Sequence, residues 1–350
     1  MKIKLFVLFI LAIGITTAFG QKKSKTPVQQ EINLNVNEAE KKVDVMIGGK
    51  LFTSYIYPDN IMKPVLWPVN SAAGNMLTRS FPLINKEGDR TDHPHHVGIW
   101  LNYGDVNGFD FWNNSEAIPA ERKDRYGTIY HQLIHRAESG EGSATLTTKS
   151  VWKSPYDSKL LDEITTFKFI ADGDMRIIDR TTTLLALVDK VEFTDNKEGM
   201  FAIRVSRELE LPSDRPTTLT DAHGVPTRVE KMDNTYVKGN YRSSEGIEGE
   251  EVWSTRGRWM KLGSEIKGEK ISIVIIDHPN NVGYPTYWHA RGYGLFAANT
   301  LGPSVFSKEA EPLNFSLKKG ESVTFKYRMV VASADLSDEQ INKLADEYAD

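Results

Sequence analysis

The chain has 350 residues, with 43 Lys and Arg against 47 Asp and Glu and no cysteine. A net charge of −4 without a basic run argues against a nucleic-acid partner. The missing cysteines rule out disulfide staples, thiol catalysis and iron–sulfur ligation, so stability must come from a sizeable core.

Residues 1–20, "MKIKLFVLFILAIGITTAFG", combine a two-lysine start, an apolar run from Leu5 to Ile15 and a small-residue exit. This is the pattern of a secretory signal, with cleavage near Gly20 and a periplasmic or secreted mature protein. The run is shorter than the roughly 20 residues a membrane span needs, and the mature chain is expected to have no span. Residues 21–40 are polar, lack aromatics and read as a flexible lead-in.

Residues 41–350 are expected to form a single β domain. Alternation of period two runs through "KKVDVMI" and "LFTSYIY", which the hairpin signal Gly48-Gly49-Lys50 separates. It continues through "GIWLNY", "GTIYHQLIH", "ATLTTKSVW", "LLDEITTFKFI", "MRIIDRTTTLLAL", "MFAIRV", "ISIVIID", "YGLFAAN" and "VTFKYRMVV". Turn clusters such as Ala171-Asp172-Gly173-Asp174 punctuate the series. Residues 212–250 are polar and predicted to be long loops. Ser337 and Gln340 form a capping-box pattern before the stripe Ile341, Leu344 and Tyr348, predicting one C-terminal helix. The fold class that follows is all-β, a large antiparallel sandwich ending in a short helix.

The chemistry-bearing residues cluster in two stretches. "DHPHHVGIW" places His93, His95 and His96 within four residues of a chain with eight histidines. "GDVNGFDFWNN" follows, setting Asn107 and Asp110 beside Trp112; flat rings next to short polar groups suit the C–H faces and hydroxyls of a sugar. Downstream, "YWHARGYG" carries Trp288, His289 and Arg291, with His289 and Arg291 on one strand face. A neutral histidine beside a fixed cation is an acid/base or hydrogen-bonding candidate near neutral pH. His131, set among apolar neighbours, and Arg204, within a buried-looking strand, complete the set.

These residues give His96, His289, His95 and His131 as candidate acid/base groups. Arg204, Arg291, Trp288, Trp112, Asn107 and Asp110 are candidate ligand contacts. The partner expected is a small molecule or oligosaccharide, with oligomeric state left open. No cofactor is expected; a divalent metal on His93, His95 or His96, completed by a distant ligand, is the alternative. A non-catalytic glycan-binding role also stays open.

In this order, "DHPHHVGIWLNYGDVNGFDFW", "EGMFAIRV", "RGRWM" and "IIDHPNNVGYPTYWHARGYGLFAANTLG" resemble the soluble PmoA-like family of exported bacterial proteins, over residues 45 to 332. A weaker resemblance is to galactose-mutarotase-like supersandwiches. It implies a concave sheet that holds a sugar between a histidine acid and a carboxylate base.

Overall fold

The computed structural model describes residues 29–350; the expected signal and its cleavage point lie outside them. Every strand pair is antiparallel, and most strands fall into a nine-stranded and an eight-stranded sheet. The expected all-β sandwich is the fold that forms.

The nine-stranded sheet runs from the Tyr287–Arg291 edge through Leu295–Asn299, Phe201–Arg204, Ile99–Leu101 and Val65–Val69 to N-terminal hairpins. Its far region includes Glu31–Asn37, residues expected in the flexible lead-in. Their alternation of Ile32, Leu34 and Val36 with asparagine supports pairing with Lys42–Ile47 instead. The eight-stranded sheet is built on long hairpins, among them Ser143–Lys153, Lys159–Asp172 and Met175–Ala186.

Alternation explains the core. Inward residues of both sheets meet edge to face or stacked, as in Phe52 with Phe169, 6.5 Å apart, and Phe201 with Tyr327, 5.1 Å apart. Burial of this kind contributes about 25 cal/mol per Å² of apolar surface, which lets a cysteine-free chain stand without crosslinks.

Each sheet also has a covered outer face. On the eight-stranded sheet the cover is the Asp338–Ala349 helix. Ser337 and Gln340 close its capping box as expected, and Ile341 and Ala345 pack on Trp259, Val274 and Val330. On the nine-stranded sheet the outer cluster is Val65, Val97, Trp100, Trp112, Ala202, Leu295 and Ala297. Every histidine and arginine of the two sequence clusters except His131 belongs to this second face or its rim.

Candidate active site

Strand register builds the floor. Trp100 pairs with Ala202, Ala202 with Ala297, and Ala297 with His289, which makes one row across four strands. At about 4.8 Å per strand, Trp100 and His289 stand about 14 Å apart along the sheet. The two alanines keep the floor low between them. In the next row Arg204 pairs with Leu295 and Leu295 with Arg291.

The histidine loop is delivered onto this floor by a sharp turn. Gly98 has φ +57°, and a Cβ there would lie 2.2 Å from the Leu66 carbonyl oxygen, so only glycine lets the loop enter the Ile99–Leu101 strand this closely. Arg79 then ties the loop together. Its guanidinium is buried and donates to the carbonyls of Arg90, Asp92, His93 and His96 and to Asp92 Oδ1 at 2.7 Å.

Arg204, fully buried on its strand, donates to the same Asp92 Oδ1 at 2.7 Å and lies 3.2 Å from His96 Nδ1. Burial alone would raise the Asp92 pKa. The hydrogen bond from His93 and the two guanidiniums outweigh it and hold the carboxylate below its usual range. One anion holds two buried cations together, and its removal would leave both uncompensated.

The aromatic rings form a column. Tyr293 stacks on His93 at 5.2 Å, His93 on His96 at 4.8 Å, and His96 on Trp100 at 5.3 Å. Trp112 abuts the column with ring centroids 5.8 Å from His96, and the Arg204 guanidinium sits 4.9 Å over Tyr293. The stretches around residues 93 and 293 therefore line one site.

Protonation states follow from partners. Arginine has no acceptor atom, so His96 Nδ1 must accept from Arg204 and its proton sits on Nε2. That Nε2 is buried without a hydrogen-bond partner among the described residues, as are His95 Nε2, Trp100 Nε1 and Trp112 Nε1. Burial, then neighbouring His95 and Arg204, keep His96 unprotonated well below its ordinary range. His289 is the opposite tautomer. Its Nδ1 donates to the Lys197 carbonyl at 3.0 Å, which leaves the lone pair on Nε2. Burial, then Arg291, lower its pKa to about 3.

Glu198 completes the rim and is a residue that the sequence reading did not place in the site. Asn102 and Gly104 hold its segment by donating to the Met200 and Glu198 carbonyls, and a Cβ at position 104 would meet the Glu198 Cβ at 2.7 Å. Its Oε2 lies 3.8 Å from His289 Nδ1, and its side chain keeps 17% exposure. Burial raises its pKa, with Lys197 opposing. Arg79, Asp92 and Tyr293 were likewise absent from the sequence-derived set. Arg79 lies outside both quoted stretches, so no local spacing marks it, whereas Tyr293 lies within "YWHARGYG", two positions after Arg291.

Other candidates sit elsewhere. Trp288 alternates with His289 and faces the inter-sheet core against Phe296, away from the column. Asn107 is a loop brace, donating to the Lys190 carbonyl and accepting from the Glu192 amide. Asp110 caps its own turn through the amides of Trp112 and Asn113. His131 belongs to the eight-stranded sheet, stacked on Tyr57 at 3.9 Å in a separate cleft. Bulges after His131 and Ile134 break the period-two alternation of its strand.

Among the described residues no group of three His, Cys, Asp or Glu is arranged to hold a metal ion. His93 and His96 lie parallel within 5°, face to face, so their in-plane lone pairs do not converge.

Comparison with known proteins adds the following. The model of a family described as "Family of unknown function (DUF6807)" matches residues 42–346. No curated protein matches the chain. Among solved structures, it overlaps the galactosidase domain of the alpha-galactosidase-sucrose kinase AgaSK at TM-score 0.42 and 8% identity, over 86% of this chain and 42% of that one. The chain thus spans less than half the length of that protein. It overlaps a galactose mutarotase related enzyme from Lactobacillus acidophilus at TM-score 0.31 and 9% identity, over 87% of this chain and 98% of that one.

Proposed function

We propose that this chain, which belongs to the family of unknown function (DUF6807), binds a sugar at the His93–Tyr293 rim and moves a proton on it. The observation that carries the reading is a neutral imidazole set beside a partly exposed carboxyl. His289 carries a lone pair on Nε2, and Glu198 stands 3.8 Å from its Nδ1. A hydroxylated ring needs donors and acceptors at fixed, adjacent points, with a flat apolar face to lie against.

Magnitudes divide the roles. A histidine lowered to about 3 is always neutral near pH 7 and is a weak base. Glu198, raised from the carboxylate range, is closer to the working pH and is the better proton carrier. In this reading Glu198 transfers the proton, His289 holds a hydroxyl, and Arg204 fixes the His96 tautomer beneath the rim. Tyr293 supplies the stacking face. The secretory pattern of residues 1–20 supports an activity outside the cytoplasm.

Saturation-transfer NMR against neutral and acidic monosaccharides tests binding. Deuterium uptake at sugar carbons in D2O, or accelerated exchange between anomers, tests proton transfer. The expected result is binding with turnover that Glu198→Gln abolishes. Failure of every sugar to bind the folded protein would overturn the proposal. N-terminal sequencing of exported protein tests cleavage near Gly20.

A further inference from the structure

Beside the column opens a cleft of about 370 Å³ that the proton-transfer site does not use. Its walls carry Arg90, Arg215, Arg291, Glu250, Trp253 and Tyr293. Tyr293 borders both spaces, and Arg291 follows His289 by two positions on one strand face, about 7 Å along it. A ligand held at the rim can therefore reach the cleft without leaving the site.

Three guanidiniums meet here in a chain whose net charge is −4. Arg90 is buried and fixed: its Nε donates to Glu210 at 2.7 Å and its Nη1 to Thr217 Oγ1 at 2.8 Å. Its Nη2 makes no hydrogen bond among the described residues. Arg291 lies 5.4 Å over the Trp253 ring, which is 36% exposed. Neither Arg291 nor Arg215 forms an ion pair among the described residues. Glu250 also lines the cleft, and Glu210 is committed to Arg90, so the three guanidiniums outnumber the carboxylates beside them.

Building on the sugar-binding reading, we infer that the ligand is an acidic sugar, whose single carboxylate enters this cleft against Arg90, Arg215 and Arg291. Planar guanidinium forks match a carboxylate, and the excess of positive charge is offset by a negative group. Neutral sugars would reach the rim but leave these cations unsatisfied.

Calorimetric titration of the full chain with galactose, galacturonate and galactose 6-sulfate, and with glucose and glucuronate, tests this. The uronates are expected to bind about tenfold or more tightly than their neutral partners, with an advantage that shrinks as salt is raised. Arg215→Gln, on an exposed loop, should remove most of that advantage and leave the neutral sugar's affinity unchanged. Equal affinity for galactose and galacturonate would overturn the inference and leave the sugar site standing. Galactose 6-sulfate binding as tightly as galacturonate would overturn the assignment to a carboxylate. Binding of none of these ligands would overturn both readings.

Discussion

The imidazole of His93 and the phenol ring of Tyr293 lie nearly coplanar in orientation, 3° apart, with centroids separated by 5.2 Å. This contact joins a loop from the first third of the chain to a hairpin turn near its end. It continues through His96 to Trp100, and so anchors the rim of the candidate site to the sheet floor.

Asp92 is the shared ion-pair partner of Arg79 and Arg204, which are almost wholly buried. Asp92→Asn is expected to cost about 3–5 kcal/mol, because two buried cations then share no anion. Urea unfolding of the variant measures this directly. A loss under about 1 kcal/mol would mean that the arginines find other compensation.

Gly98→Ala should be as damaging through the backbone. The left-handed φ is strained for alanine, and the new methyl group meets the Leu66 carbonyl. We expect a loss of at least about 3 kcal/mol or failure to accumulate folded protein. Near-wild-type melting would show that the 92–98 loop tolerates rerouting.

Glu198→Gln is nearly isosteric at a partly exposed position and should leave the melting temperature within a few degrees while removing turnover. His289→Ala should weaken sugar binding and lower turnover. His96→Ala should instead destabilise the fold, since it opens the ring column and deprives Arg204 of an acceptor. A His96→Ala variant as stable as wild type would contradict the column's structural role.

Protonation gives a further test. His289 has a folded pKa of about 3, below the unfolded value of about 6.5. As pH falls below about 6.5 the unfolded state binds a proton that the native state refuses, so this histidine's contribution to stability falls until about pH 3. The slope reaches about 1.4 kcal/mol per pH unit. Buried Glu210 and Asp277, both pushed up to about 7 by burial, act with the opposite sign, so the whole-protein curve is not the probe. The difference between wild type and His289→Asn is. That difference should shift in favour of the variant on acidification from pH 6.5 to 4, and a flat difference would contradict the buried neutral state.

Some of this was legible in the residue pattern. Period-two alternation specified strands and antiparallel hairpins, and it also contained the answer for Trp288. Its neighbour His289 and Arg291 share one strand face, so Trp288 must face the other. The C-terminal helix was legible because Ser337 and Gln340 act within one turn. Glu31–Asn37 was equally periodic, but its three asparagines made it look like a polar lead-in.

Local pattern reaches as far as the interactions it encodes. Hydrogen-bond period, turn chemistry and caps act over a few residues, so the sequence alone settled that this is a β sandwich with a histidine-rich loop and a capped final helix. Which loops meet is decided by long-range strand register. That register alone brings Asp92 between Arg79 and Arg204, sets Tyr293 on His93, and leaves His131 on the other sheet. The tautomers of His96 and His289 depend on partners more than ninety positions away, and only packing supplies them.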